Sequence, residues 1–261
     1  MSKSRNYGCS APYSVSQNFL TDRSLIERLL NQTNITQKNT VLEIGAGKGH
    51  ITKALAGKCR HVISYEIDRK LYEKLALQMP KNVSLYGRDF LKSPLPKTPY
   101  QVFANIPFSK TTAIVRRLTT ADNPPERMWL VMEKGAAKRF CGLPKDQLTS
   151  LQIKPFFDTK IVYHFQREDF HPAPRVDVVL VEFVRKQAPD IPLSTRSDYT
   201  AFLQYSFVRG LFGRQALLTK RQITTALRLA KLPAIPPSGD VWYIQWLCLF
   251  RCWQEYGKRI Y

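Results

Sequence analysis

Acidic residues are scarce in this sequence: 20 Asp and Glu stand against 40 Lys and Arg, giving a formal charge of +20 and a pI near 9.9. That imbalance exceeds what solubility requires and implies a polyanionic partner. Long apolar runs are missing as well. No stretch approaches the roughly 18 apolar residues of a membrane span, and the longest, residues 241–253, is interrupted by Gln245 and Arg251. The first twenty residues hold no apolar core of the roughly 7–15 residues that a secretory signal needs, so neither membrane insertion nor secretion is expected. Cysteines are few and odd in number: Cys9, Cys59, Cys141, Cys248 and Cys252 form no CxxC pair. This excludes a disulfide framework or a zinc ribbon and fits a reducing cytoplasm. His50, His61, His164 and His171 share no ligand spacing, so no metal is expected.

What is present is a globular composition, 44% hydrophobic and 11% aromatic, in 261 residues. Such a chain can hold one catalytic-sized domain and a small appendage. The positive charge is distributed, +13 up to Arg185 and +7 in the 76 residues beyond. A membrane-binding basic helix would concentrate its charge beside an apolar face, whereas a broad field suits a phosphate-rich nucleic acid.

From Thr40 onward, short apolar runs alternate with helix-like segments. TVLEI (40–44), HVISYE (61–66), VSLYG (83–87), YQVFAN (100–105) and MWLVME (128–133) read as strands. Alternation of this kind predicts an α/β fold with a parallel, doubly wound, Rossmann-like sheet. KIVYHF (160–165) and VDVVLVEF (176–183), with no helix between them, predict an antiparallel edge hairpin. After Pro189 and Pro192 the period turns helical, and residues 198–210, 219–232 and 241–257 predict three helices. The expected division is a catalytic domain over 1–188 and a small all-α domain over 189–261.

The chemistry gathers where strands end. The first strand runs into EIGAGKG (43–49), and its glycines let a ligand approach the backbone at the carboxyl edge of the sheet. The spacing is GxGxG and His50 follows, so neither the dinucleotide GxGxxG nor a phosphate-binding P-loop matches. Glu66 closes the next strand and suits a pair of ribose hydroxyls. Asp89 and Phe90, in GRDF, suit an adenine amino group and ring face. Together these predict an adenosine pocket bordered by Gly45 and Gly47.

The fourth strand ends in NIPF, Asn105, Ile106, Pro107 and Phe108. An exocyclic amine on a base is a poor nucleophile because its lone pair is conjugated into the ring. An enzyme that uses such an amine must supply acceptors for its protons, here the Asn105 side chain and a backbone carbonyl held by Pro107. Phe108 offers a face for a flipped base, a stack contributing about 1–3 kcal/mol. An ordinary turn is the plainer reading of Asn-x-Pro-Phe alone, but its position one strand beyond an adenosine pocket argues for chemistry.

The ordered set QNFL (17–20), EIGAGKG, YEID (65–68), GRDF (87–90), NIPF, VMEKGAAKRF (131–140) and FHPAPRVD (170–177) resembles the S-adenosylmethionine-dependent ribosomal RNA adenine N6-methyltransferases. The resemblance implies a class I methyltransferase sheet, S-adenosylmethionine as methyl donor and ribosomal RNA as partner. Its housekeeping branch dimethylates adenines of small-subunit 16S RNA and usually carries NLPY. NIPF followed by a Thr-Thr pair, VMEKGAAKRF and the basic composition resemble the erythromycin-resistance branch, which modifies one adenine of large-subunit 23S RNA. That branch implies resistance to macrolides, lincosamides and streptogramin B. A catalytically inactive, nucleic-acid-binding relative is a third reading, against which the intact NIPF argues.

Carried over by motif, Asn18 and Leu20 would line the cofactor, together with Gly45, Gly47, Glu66, Asp89, Phe90 and Asn105. Asn105, Ile106, Pro107 and Phe108 would hold the target base, with Phe170 as a second aromatic. No general base is assigned. Lys110, Arg116, Arg117, Lys134, Lys138 and Arg139 are candidate RNA contacts, and a monomer is expected.

Overall fold

The computed structural model describes residues 18–259. The chain enters through a two-residue strand, Phe19–Leu20 (β1), and a helix, Arg23–Asn31 (α1). Asp22 caps α1 by accepting the Ser24 and Leu25 N–H groups at 2.8 and 3.3 Å, satisfying two donors that a helix start leaves free. Leu25, Ile26, Leu29 and Leu30 bury one face of it. The sequence reading began its series at Thr40 and passed over this helix.

Thr40–Ile44 (β2), with all five residues buried, leads by α2 (His50–Lys58) to β3 (His61–Tyr65), then by α3 (Arg69–Ala76) to β4 (Val83–Tyr86). Next come β5 (Gln101–Asn105), α4 (Thr111–Thr119), β6 (Arg127–Glu133), α5 (Lys134–Cys141) and α6 (Leu148–Ile153). The strands β7 (Phe157–His164), β8 (Phe170–His171) and β9 (Val178–Arg185) complete the α/β part. The seven-stranded sheet has the order β4-β3-β2-β5-β6-β9-β7. β2 to β6 are mutually parallel, and β9 lies antiparallel between β6 and β7. The expected Rossmann-like sheet and edge hairpin are both present. The hairpin carries a bulge between Ile161 and Tyr163, and inside its connection β8 pairs with β1, setting Leu20 opposite Phe170.

The order reverses at β2, whose neighbours β3 and β5 send their following loops to opposite sides. That divergence opens a crevice at the carboxyl ends of the strands.

The three expected C-terminal helices are α7 (Arg196–Arg209), α8 (Lys220–Leu229) and α9 (Tyr243–Tyr256). Thr219 and Gln222 form a capping box at the start of α8. One apolar cluster continues from β2, β5 and β6 through Phe140 of α5 into Tyr199, Phe202 and Phe250. A polar clamp adds to it. The Tyr243 hydroxyl donates to Asp190 Oδ2 at 2.5 Å, and the ammonium groups of Lys154 and Lys186 each lie 5.8 Å from its ring centroid. Lys186 also pairs with Asp190 at 2.6 Å, and Lys154 pairs with Asp146. Among the described residues no helix is long and apolar enough to cross a membrane.

Tyr243→Phe keeps the ring between the two lysines and removes the bond to Asp190. The expected loss is about 2 kcal/mol, read as a lower urea midpoint at unchanged m. A change below about 0.5 kcal/mol would show that the ring contacts alone hold α9.

Candidate active site

The loop after β2 folds back on the end of β3, where the Gly45 and Ala46 N–H groups both donate to the Tyr65 carbonyl, at 2.8 and 3.0 Å. Gly47 adopts φ +57°, and a Cβ there would lie 2.7 Å from the Phe19 ring, so the close approach requires glycine. Its N–H donates to Glu66 Oε2 at 2.7 Å, while Glu66 Oε1 accepts the Asp68 N–H at 2.8 Å. Glu66 is 2% exposed. Each carboxylate oxygen keeps a second acceptor position at the cleft wall.

Beyond β4, Asp89 Oδ1 accepts the Leu91 N–H at 2.8 Å and caps a 3-10 turn over Phe90–Lys92. The Phe90 ring meets Tyr65 edge-on at 5.7 Å, and Tyr65 stacks on Tyr86 at 5.4 Å. At the end of β5 the Asn105 Nδ2 donates to the Asn18 carbonyl at 2.7 Å. That bond leaves Oδ1 as a free acceptor among the described residues. The Pro107 carbonyl accepts the Lys110 N–H at 2.9 Å, and the Ile106 N–H donates to Val131 O at 3.3 Å. The Ile106 carbonyl, preceding the rigid proline, is the backbone acceptor left open. These groups and the half-buried Phe108 line one cleft of about 270 Å³.

Asn18, Gly45, Gly47, Glu66, Asp89, Phe90 and all four residues of NIPF are thus brought together. Of the residues expected at the cofactor and the base, Leu20 and Phe170 stand elsewhere. Leu20 is 2% exposed and packs in the core beneath α1 and α2, and its neighbour Phe19 takes the cleft position. In a two-residue strand the side chains alternate, and pairing with β8 decides which one faces inward. Phe170 is 1% exposed and packs edge-on against Phe165 at 5.1 Å. In this arrangement its ring does not line the cleft. Arg117, expected as an RNA contact, is half-buried at the edge of the neighbouring groove, where it donates to the Ser93 carbonyl and lies 5.7 Å from the Phe90 centroid.

Lys134 pairs with Asp177 at 3.4 Å, and Lys138 and Arg139 are exposed on α5 outside the cleft. Lys110 borders both the cleft and a neighbouring open groove of about 1060 Å³, which Lys97 and Arg116 also line. Sequence reasoning missed Phe19, Tyr65, Arg88 and Lys97. Tyr65 and Arg88 directly precede the acids it chose, and Arg88 lies 4.6 Å from the Tyr86 ring centroid. Lys48 lies over the Phe19 ring at 5.2 Å.

Beneath the loop, Glu43 Oε2 accepts the Thr52 and Ser64 hydroxyls, each at 2.6 Å, tying α2 and β3 to β2. Its Oε1 is enclosed without a partner. Burial pushes the Glu43 carboxyl up to about 7, aided by the Glu66 charge and opposed by the bonds from Ser64 and Thr52.

The model of the family described as ribosomal RNA adenine dimethylase matches residues 10–227, most of the chain. The chain belongs to that family. An rRNA adenine N-6-methyltransferase of Bacillus licheniformis is 32% identical over 272 residues, covering 97% of this chain and 91% of the relative. Ribosomal RNA small subunit methyltransferase A of Mycoplasmopsis pulmonis is 32% identical over 196 residues, covering 73% and 77%. The crystal structure of the 23S rRNA methyltransferase ErmE superposes with a TM-score of 0.76 at 28% identity, covering 91% of this chain and 100% of that one. Family and fold together imply S-adenosylmethionine. The residues present fit it: a glycine cradle that a Cβ would fill, a buried carboxylate for a diol, and a carboxylate and ring for a purine.

Below pH 4.5 the Glu43 proton is held in both folded and unfolded states. Between 4.5 and 7 the unfolded chain releases it first, so stability falls as pH rises, and above 7 the deficit is constant. The unfolding free energy of Glu43→Gln relative to wild type is therefore expected to rise by up to about 3 kcal/mol between pH 4.5 and pH 8. Urea titrations of both proteins at each pH measure it, and a flat difference would refute the buried proton.

Proposed function

We propose that this chain transfers a methyl group from S-adenosylmethionine to N6 of one adenine in large-subunit 23S ribosomal RNA, and thereby confers resistance to macrolides, lincosamides and streptogramin B. The observation that carries the chemistry is the anchored Asn105 amide: the Asn18 carbonyl holds its Nδ2 at 2.7 Å, leaving Oδ1 to accept a proton of the target amine. The Ile106 carbonyl accepts the second proton. Together they draw the nitrogen lone pair out of conjugation, and Phe108 stacks on the extruded base. Glu66 holds the ribose hydroxyls, and Asp89 with Phe90 holds the adenine of the donor. S-adenosylmethionine supplies, when bound, a methyl group activated on a sulfonium. With so good a leaving group, orientation contributes more than acid–base work. As the nitrogen takes the methyl group and the thioether leaves, N6 becomes cationic and strongly acidic, and it passes its proton to water.

Two observations favour the large subunit: NIPF in place of NLPY, and the full coverage of ErmE at 28% identity. The Mycoplasmopsis relative, 32% identical, supports the small-subunit alternative. RNA lies along the groove lined by Lys97, Lys110, Arg116 and the half-buried Arg117, which carries one acid, Asp122. Residues 1–188 form the catalytic part and 189–261 the helical appendage, in a monomer that acts in the cytoplasm.

Labelled methyl transfer is measured on purified 23S RNA, 16S RNA and assembled small subunits. Label is expected on one adenine of 23S RNA, with Asn105→Ala about 100-fold slower. Label confined to small-subunit particles would move the target, and none on any RNA would leave only a binder. Arg116→Ala is expected to weaken RNA binding and to lower the slope of log K against log salt by about one. An unchanged slope would take the groove out of the RNA path.

A further inference from the structure

Arg116 and Arg117 are adjacent on α4 and both border the basic groove, but Arg117 is half-buried. Arg116 is exposed along the basic groove. Arg117 turns inward, donating to the Ser93 carbonyl while its guanidinium lies over Phe90, 5.7 Å from the ring centroid. Among the described residues its Nε is enclosed without a partner. That is a desolvation cost which a side chain serving solvent-facing phosphates would not incur.

What Arg117 touches is the turn that presents Asp89 and Phe90 to the cleft. Most of the turn's own bonds are local. Asp89 Oδ1 accepts Leu91 N–H, the Asp89 carbonyl accepts the Ser93 hydroxyl at 2.8 Å and Lys92 N–H at 3.1 Å, and the Phe90 carbonyl accepts Ser93 N–H at 3.1 Å. Local bonds fix the shape of a turn and not its orientation on the sheet. Two long-range side-chain bonds supply the orientation: Tyr65 Oη to the Pro94 carbonyl at 3.2 Å, and Arg117 to Ser93.

We propose that Arg117 is a positioning residue for the adenine of the methyl donor, holding the 89–93 turn against the helix that grows from the NIPF loop. The inference rests on the reading of the cleft as the S-adenosylmethionine site. A planar guanidinium can lie on a ring face and reach a carbonyl at once, whereas an ammonium is a point charge. Lysine should therefore restore the function only in part. Because α4 begins beside Phe108, the same helix sets both the purine of the donor and the loop that receives the target base.

The test is calorimetric binding of S-adenosylhomocysteine and S-inosylhomocysteine, which carries a keto oxygen in place of the adenine amino group, to wild type, Arg117→Ala, Arg117→Lys and Arg116→Ala. RNA affinity and thermal midpoint are measured on the same samples. Wild type should prefer the adenosyl ligand. Arg117→Ala should bind it about tenfold more weakly and lose most of the preference, with RNA affinity reduced less than in Arg116→Ala. Arg117→Lys should fall between, and Arg116→Ala should show the reverse pattern, weak on RNA and intact on the adenosyl ligand. Arg117→Ala that keeps affinity and preference while losing RNA would overturn the proposal, as would Arg117→Lys identical to wild type if the alanine variant fails to fold. Wild type that binds no S-adenosylhomocysteine would instead overturn the reading of the cleft.

Discussion

The Glu66 carboxylate is the anion around which the cleft is assembled. Parallel strands deliver their loops to one edge of the sheet, and each loop arrives with backbone N–H groups that no ladder satisfies. Glu66, 2% exposed, takes two of them, Gly47 N–H and Asp68 N–H, and so fixes both the glycine loop and the start of α3. On the proposed reading the same oxygens receive the donor's ribose, so the cleft walls are held by the charge that holds the ligand. Glu43 lies below, 1% exposed. Burial and the Glu66 charge both disfavour its ionisation, leaving two neighbouring acids with separate duties, one a charged wall and the other a proton-bearing tie between β2, α2 and β3.

The three residues that cross the mouth of this cleft come from far away in the chain. Asn18 bonds Asn105, Phe19 fills the space over Gly47, and Leu20 is buried among the side chains under α1. Pairing of β1 with β8 fixes that division and draws Phe170 inward at the same time. The pairing of β1 with β8, next to the Asn18–Asn105 bond, therefore sets the anchoring of the Asn105 amide, the fit of the glycine loop and the burial of Phe170.

This explains which parts were legible in the sequence. β2 to β6 are short β-branched runs between turn residues, and α7 to α9 have a clear helical period. Such signals are local, and the structure follows them. The α1 pattern was equally local, with Asp22 as cap and Leu25, Ile26, Leu29 and Leu30 on one face, and could have been read. Strands of two residues have no period to detect, so β1 and β8 were invisible, and with them the facing of Phe19, Leu20 and Phe170. Arg117 sits on the flank of the buried Ile114, Val115 and Leu118 stripe. Its neighbour Arg116 points outward, a difference of one helical step that charge alone conceals.

Charge is partitioned around the catalytic loop in a way that its overall excess hides. Two acids, Glu66 and Asp89, and two cations, Arg88 and Lys110, line the cleft, so its charge is balanced, while the adjoining groove carries Lys97, Lys110, Arg116 and Arg117 against Asp122, suited to phosphates. A polyanion is attracted to the groove rather than to the balanced cleft, so on the proposed reading the phosphates stay in the groove and the base alone enters. The passage lies at Phe108 and Lys110, where the two cavities meet. On the proposed reading a stacking face and a cation at that junction admit the base while its phosphates stay outside.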